Sequence, residues 1–189
     1  VDVKDLLPDE EVEKTKEQMF VKGANVKKIY NTEAYNNLDI YQVNTTYYSA
    51  LGNNDAAYLL ARAIQFFAPG VPQVYYVGLL AGKNDEENVK VIGEGREINR
   101  HNFTMEEIDE SVKKDVVQRL LKLIDFRNYY EAFDGKFTVH NTEDDQIKLS
   151  WQKDDKICTL NVNLENYKSI IEYIDKYGVD AVRYYALRE

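Results

Sequence analysis

The 189-residue chain carries 33 acidic and 24 basic side chains, for a net charge of −9, with 44% hydrophobic and 30% charged residues. This composition is typical of a folded globular domain. The acidic balance argues against a nucleic-acid partner, because binding that backbone requires a basic face. The single cysteine, Cys158, cannot form an internal disulfide, which favours a cytoplasmic location. We expect no membrane partner, because no apolar run approaches the roughly 20 residues of a spanning helix.

The first predicted element is a surface helix over residues 8–21. Pro8 suits its first position, and Gly23 is a natural stop. From Gly23 to Leu51 the chain has no helical period and is rich in Asn, Thr and Tyr. This composition predicts a long loop, and long ordered loops often carry function.

A buried helix and a buried strand are predicted next. Asp55 is placed to cap a helix through Phe67 that is apolar on most sides. Pro69-Gly70 ends it, and the apolar run Val71–Val77 predicts a strand covered on both faces, as in a parallel sheet. This order of helix, turn and buried strand is typical of an α/β barrel.

The following segment, residues 83–103, is acidic and irregular. Thr104 and Glu107 have the spacing of a capping box, and a helix is predicted from Val112 to Asn128. From Phe137 the apolar period changes to two, which predicts an antiparallel hairpin that turns at Lys153–Lys156. The last nineteen residues return to a helical pattern.

Three clusters carry groups capable of binding a ligand. Asn37–Asn44 combines acid, amide and phenol groups that suit sugar hydroxyls, although Asn and Asp also favour ordinary turns. Pro69–Tyr76 reads as a structural turn and core strand, whose end would open onto the active face of a barrel. Gly93–His101 holds two arginines, which would either clamp an anion or simply solvate a loop. With two histidines and one cysteine in the chain, we expect neither a metal site nor a cofactor.

Sequence runs in these clusters resemble the sucrose phosphorylases of the α-amylase superfamily. The runs are NLDIYQVNTTYYSALG from Asn37, PGVPQVYYVGLLAG from Pro69 and GREINRH from Gly95. The resemblance covers about residues 1–168. It implies the C-terminal part of a (β/α)8 barrel, comprising the last helices and the eighth strand at Gln73–Val77, followed by a small antiparallel β domain. One strand of eight cannot close a barrel, so we expect this chain alone to be incomplete, unstable and aggregation-prone.

The family transfers glucose from sucrose to phosphate with retention, which requires a carboxylate nucleophile and an acid/base carboxyl group. The resemblance places these carboxylates upstream of Val1, so we expect no catalytic residue here and no activity from this chain alone. It implies substrate contacts from the acceptor loop and from a glucose-site arginine, namely Asp39, Ile40, Tyr41, Gln42 and Arg96. Arg100 is the second arginine candidate. Glu97 and Asn102-Phe103 depart from the family pattern, where Asp and Tyr-Tyr are expected.

The predicted division is 1–54 for a barrel excursion and the acceptor loop, 55–135 for the end of the barrel, 136–168 for the β domain, and 169–189 for an unrelated helical tail. The stretch from Asp175 to Glu189 resembles a methionyl-tRNA synthetase, which suggests a chimera joined near Ser169–Glu172. A divergent C-terminus is the alternative. Because the chain starts at Val1 rather than Met, we expect it to be part of a longer protein.

The functional prediction is therefore a fragment of a sucrose phosphorylase, with sucrose and phosphate as substrates. The alternatives are a phosphorylase of sucrose 6′-phosphate or glucosylglycerate, and an inert carbohydrate-binding fragment. The resemblance leaves open a homodimer of the full-length protein.

Overall fold

The computed structural model describes residues 6–26 and 43–173. The α-helices in these ranges are α1 (Asp9–Val21), α2 (Tyr47–Ala50), α3 (Asp55–Phe67), α4 (Tyr76–Leu79), α5 (Glu86–Ile92), α6 (Met105–Ser111) and α7 (Asp115–Tyr129). Short 3₁₀ helices lie at Gly95–Asn99 and Glu131–Asp134. The strands are β1 (Asn25–Val26), β2 (Val43–Asn44), β3 (Lys136–His140), β4 (Gln146–Lys153), β5 (Lys156–Asn163) and β6 (Lys168–Tyr173).

The described residues divide into two compact units. The first comprises residues 6–26, 43–54 and 75–112, and the second comprises residues 55–74 and 113–173. No described helix is both long enough and apolar enough to cross a membrane.

In the first unit, α1 is the predicted surface helix. It begins at Asp9, one residue later than predicted, with Pro8 at the N-cap, and none of its side chains is buried. Asp9 and the two glutamates after it sit in the first turn, where their negative charge favours the helix dipole. Gly23 follows the helix at φ +82°, the left-handed conformation expected of a helix stop.

The predicted loop Gly23–Leu51 is only partly described, and the described part is more regular than expected. β1 and β2 form a short antiparallel ladder, and α2 starts after Thr46, whose hydroxyl accepts from the Ser49 N–H at 3.1 Å. Residues 83–103, also predicted as irregular, contain α5. Asp85 caps this helix by accepting from the Asn88 N–H at 2.9 Å, a local signal that the acidic composition obscured.

The predicted eighth strand is wrong. Among the described residues, 71–75 pair with no strand, and the run ends in the short helix α4 rather than continuing to Val77. Val71 is 90% exposed, and Pro72 has no N–H to give to a ladder. An apolar run becomes a strand only when a neighbouring strand takes its hydrogen bonds.

The predicted capping box of α6 is confirmed. The Thr104 hydroxyl accepts from the Glu107 N–H at 3.2 Å, and the Thr104 N–H donates to the Glu107 carboxylate at 2.7 Å. The helix predicted from Val112 to Asn128 is also confirmed, as α7, although it begins three residues later, at Asp115.

The second unit packs a sheet against helices. The sheet is an antiparallel meander in the order β3-β4-β5-β6. The predicted hairpin is confirmed: Lys153 pairs with Lys156, and the alternating side chains of Leu149 and Trp151 point into the core. Against them packs α3, the predicted buried helix, in which Phe67 is fully buried. The Trp151 indole donates to the Phe67 carbonyl at 2.7 Å and thus satisfies a free carbonyl at the helix C-terminus.

The boundary predicted at residue 168 is also wrong. Lys168–Tyr173 is the strand β6, in register with β5, where Leu160 faces Ile171. Ser169 and Ile171 are buried, with the period of two that a strand requires. The helical assignment therefore fails for the residues up to Tyr173, and the rest of the predicted tail, 174–189, lies outside the described residues.

Candidate functional site

Of the five predicted substrate-binding residues, the structure describes one. Asp39, Ile40, Tyr41 and Gln42 lie outside the described residues, so their roles stay predictions. Arg96 lies in the Gly95–Asn99 3₁₀ helix of the first unit.

The two described ends of segment 27–42 meet in the ladder of β1 and β2. Asn25 pairs with Asn44, and Val26 pairs with Val43. Both strands also contact the Gly95–Asn99 helix. The structure therefore brings the helix that carries Arg96 to the base of the segment that carries the predicted acceptor residues.

The Arg96 side chain keeps an unused hydrogen-bond donor at this base. Its Nε is buried and has no hydrogen-bond partner among the described residues. A buried guanidinium N–H without an acceptor is costly, and native proteins normally satisfy such groups. The arrangement therefore suits a ligand or a further protein group that brings an oxygen atom to Arg96.

Arg100, the second arginine candidate, is differently placed. Its Nη1 lies 3.2 Å from the Glu97 carboxylate, and its side chain is 45% exposed. An exposed arginine that is already paired has less reason to bind a ligand than a partly buried one with a free N–H. The geometry thus favours Arg96 of the two.

Asn44 supplies a second unused donor. Its side chain is only 3% exposed, and its Nδ2 has no hydrogen-bond partner in the part of the chain that the structure describes. Asn44 lies on β2, next to the helix that carries Arg96. An amide and a guanidinium on neighbouring elements form a donor set suited to hydroxyl, carboxylate or phosphate oxygens.

His101 joins the N-termini of two helices near this base. Its Nδ1 lies 2.5 Å from the Asp85 carboxylate, and its Nε2 lies 3.2 Å from that of Glu107. The hydrogen bond to Asp85 raises the pKa of His101, against an opposing effect of burial, and Glu107 raises it further. The pKa of Glu107 is lowered by the Thr104 N–H and then by His101. Protonated His101 therefore stabilises both helix starts.

Two opposing effects act on the pKa of Asp85. Burial raises its pKa, but the hydrogen bonds from His101 and from the Asn88 N–H together lower it below the ordinary value. Asp85 thus stays ionised where it serves both as a helix cap and as the partner of the histidine.

An apolar groove of about 450 Å³ opens elsewhere in the same unit. It is lined by residues of α4 and α6 together with Leu80, Asn102, Phe103 and Val112. The Tyr76 ring meets Phe103 edge-on at 6.2 Å between centroids. Burial and the neighbouring Tyr75 raise the pKa of Tyr76, which keeps its phenol neutral. No charged side chain among the described residues lines this groove.

Comparison with known proteins gives close relatives. The chain is 58% identical over 165 residues to the sucrose 6(F)-phosphate phosphorylase of Thermoanaerobacterium thermosaccharolyticum, covering 86% of this chain and 34% of the relative. It is 51% identical over 170 residues to the sucrose phosphorylase of Streptococcus mutans, covering 88% of this chain and 35% of the relative. The chain is homologous to about a third of each of these phosphorylases. No protein-family model matches it.

A solved structure agrees with this homology. The crystal structure of sucrose 6F-phosphate phosphorylase from Thermoanaerobacter thermosaccharolyticum matches with a TM-score of 0.92 and 51% identity, over 98% of this chain and 38% of that one. The match lies in the C-terminal region and confirms the predicted fold class of barrel helices followed by a small antiparallel sheet. The chain spans about a third of the length of the relatives it matches.

Sequence reasoning missed two polar residues of this base. Asn44 is the last residue of the polar cluster Asn37–Asn44, but nothing in the sequence showed that its amide is buried with an unused N–H. Asn84 lies between Gly82 and the capping Asp85, where its sequence context suggested only a turn. The signal for both lies in contacts between segments distant in sequence.

Proposed function

We propose that the chain is part of a phosphorylase that transfers glucose from sucrose to phosphate and yields α-glucose 1-phosphate and fructose. The observation that carries the proposal is the 51% identity to a sucrose phosphorylase over 88% of the chain. The unused donor of Arg96, at the base of the segment that resembles the family's acceptor loop, is consistent with it.

The chemistry divides between this chain and the remainder of such an enzyme. Retention of configuration needs one carboxylate as nucleophile and a second carboxyl group that protonates the departing fructose. The family resemblance assigns both to a part of the enzyme outside these residues. This chain would contribute binding: Arg96 to the glucosyl unit, and Asp39 and Gln42 to fructose or phosphate. We therefore propose that the chain has no activity by itself.

Sucrose 6F-phosphate is the second candidate donor. The relative that acts on it, according to its name, is 58% identical to this chain, against 51% for the sucrose phosphorylase. The two donors differ by one phosphate group on the fructosyl unit. The residues that would distinguish them belong to the acceptor side of the site, where Asp39 and Gln42 are expected.

Two hybrids separate the candidates. In the Streptococcus hybrid, the part of the Streptococcus mutans enzyme that precedes its match to Leu6 is followed by residues 6–189 of this chain. The Thermoanaerobacterium hybrid is built in the same way. Phosphate-dependent release of glucose 1-phosphate is measured with each donor. The proposal predicts that the Streptococcus hybrid retains sucrose as its preferred donor. It also predicts that the donor preference of the Thermoanaerobacterium hybrid shifts toward sucrose. A shift of the Streptococcus hybrid toward sucrose 6F-phosphate, with the Thermoanaerobacterium hybrid retaining that donor, would establish the second candidate instead.

Arg96 is tested in the Streptococcus hybrid. Loss of a charged hydrogen bond costs about 1.5–3 kcal/mol, so Arg96→Ala should lower kcat/KM about 10- to 150-fold. Arg96→Lys retains the charge but not the planar fork and should recover only part of that loss. Arg119→Lys is the matched control: Arg119 is a half-buried arginine of α7 in the second unit, paired with Asp115, and its replacement should leave kcat/KM unchanged.

We also propose a cytoplasmic location. The acidic chain has one cysteine, Cys158, which is free and buried. Burial raises the pKa of its thiol to about 12, so it is neither a disulfide partner nor a reactive thiolate at neutral pH. Fractionation of the source cells with an antibody against the chain tests this location.

A further inference from the structure

Asn84 lies at the centre of the hydrogen bonds at the base of segment 27–42. On the C-terminal side of that segment, its Oδ1 accepts from the Thr46 N–H at 2.7 Å and from the Thr45 hydroxyl at 3.1 Å. These residues directly follow β2. The Asn84 backbone N–H also donates to the Ser49 hydroxyl in α2 at 3.0 Å.

The same side chain also reaches the N-terminal side of the segment. Its Nδ2 donates to the Gly23 carbonyl at 3.0 Å, two residues before β1. Gly23 and Thr46 are thus tied to opposite ends of one amide group. In the described structure, Asn84 joins both approaches to the segment through a single side chain.

The orientation of this amide follows from its partners. A backbone N–H can only donate, so the atom facing Thr46 must be the oxygen, and a carbonyl can only accept, so the atom facing Gly23 must be the nitrogen. Aspartate would present an oxygen to the Gly23 carbonyl, and alanine would reach neither partner. Asparagine is the residue of this size that satisfies both ends.

Other contacts also join elements at the base, but each involves a single hydrogen bond or a very short ladder. The ladder of β1 and β2 is two residue pairs long, far shorter than a strand pair that is stable alone. Lys22 donates to the Ala50 carbonyl at 3.0 Å from an exposed position. Asn99 reaches the Thr45 carbonyl at 3.4 Å, near the limit of a hydrogen bond. The Asn84 contacts to Thr45 and Thr46 are part-buried, whereas its 3.0 Å contact to Gly23 is exposed, like that of Lys22. Asn84 differs from Lys22 because its one side chain bonds both approaches and reaches the N–H of Thr46 at 2.7 Å.

We propose that Asn84 is a positioning residue for acceptor binding: it fastens both approaches to the segment that carries Asp39 and Gln42, without touching substrate itself. The inference rests on the proposed function for its consequence in catalysis. Its structural half, that one amide holds the β1 and β2 ends together, is independent of any activity.

The structural half is tested by amide hydrogen exchange on the Streptococcus hybrid. In Asn84→Ala, peptides that cover β1 and residues 43–49 should exchange about tenfold faster, since each net hydrogen bond lost changes the opening equilibrium by about that factor. Asn84→Asp keeps the acceptor for Thr46 and should give a smaller increase in the 43–49 peptide. Peptides from β4 are the internal reference, and Asn128→Asp on α7 is the matched charge control. Unchanged exchange at both approaches in Asn84→Ala would overturn the proposal.

Steady-state kinetics of the same variants test the catalytic half of the proposal. The KM for phosphate should rise about tenfold in Asn84→Ala, while the unfolding midpoint stays close to that of the Asn128→Asp control. A fall in kcat with an unchanged KM for phosphate would overturn a positioning role in acceptor binding. If the unmutated hybrid releases no glucose 1-phosphate, the proposed function fails, and the exchange rates alone still decide whether Asn84 fastens the base.

Discussion

Gly135 is predicted to be intolerant of even a methyl group. It lies between the Glu131–Asp134 helix and β3 at φ −102°, ψ −146°, so its backbone conformation does not itself require glycine. A Cβ there would lie 1.9 Å from the Gln152 carbonyl oxygen and 2.5 Å from the carbonyl carbon. Ordinary Cβ contacts are 3.4–4 Å, so β3 and β4 would have to separate by more than an ångström.

The cost of Gly135→Ala follows from what has to move. Overpacking against flexible side chains costs about 1–3 kcal/mol. Here the obstacle is backbone in the sheet, where Gln152 pairs with Lys136 and Ile157. We therefore expect a loss of about 3 kcal/mol or more in the free energy of unfolding.

The assay is urea denaturation of the Streptococcus hybrid, with Gly93→Ala as the control. Gly93 has open space around its Cα but a φ of +78°, so alanine there should cost about 1 kcal/mol through backbone conformation alone. Equal losses for the two variants would refute the steric reasoning, because they would show that β3 and β4 yield without cost.

Three further predictions concern the same hybrid. Trp151→Phe leaves the buried Phe67 carbonyl without its donor and should cost about 1–3 kcal/mol, read from urea midpoints. Since the pKa of His101 is raised in the folded state, its stabilising charge is complete below the unfolded value of 6.5 and is lost as pH rises through the raised value. His101→Gln should therefore be less stable than wild type near pH 6 and converge with it at higher pH, and a difference that grows with pH would contradict the pairing with Asp85. Cys158 should resist maleimide until the sheet unfolds, as mass spectrometry of the labelled peptide would show, and rapid labelling of the native hybrid would contradict its burial.

Local patterns predicted the elements that an apolar period or a helix cap defines. The alternation around Leu149 and Trp151 identified the β4–β5 hairpin, and the capping box at Thr104 identified the start of α6. These signals lie within a few residues of the element that they define. Tertiary contacts reinforced them rather than overriding them.

Elements that depend on distant partners were not predictable in the same way. The apolar run from Val71 has the composition of a strand but no strand beside it among the described residues. β6 shows the reverse case, since Ser169 at a buried position hid the period of two that pairing with β5 reveals. α5 buries no side chain and therefore has no apolar stripe to detect.

The candidate site likewise combines a residue that the sequence predicted with contacts that it did not. Arg96 was identified through the family resemblance, whereas its unused Nε was visible only in the structure. Asn84 lies 38 residues from Thr46 in sequence, and no local rule links a turn asparagine to a backbone N–H so far away. Polar networks that join distant segments depend on the tertiary fold, so local sequence patterns do not predict them.

The most direct measurement is phosphate-dependent release of α-glucose 1-phosphate from sucrose by three proteins side by side. They are the 189-residue chain, the N-terminal part of the Streptococcus mutans enzyme, and the Streptococcus hybrid that joins the two. We predict activity from the hybrid alone, with retained configuration, and aggregation of the isolated chain. Activity of the isolated chain would show that it contains its own catalytic carboxylates. A folded hybrid without activity on sucrose or its 6F-phosphate would contradict the assignment of this chain to the binding half of a sucrose phosphorylase.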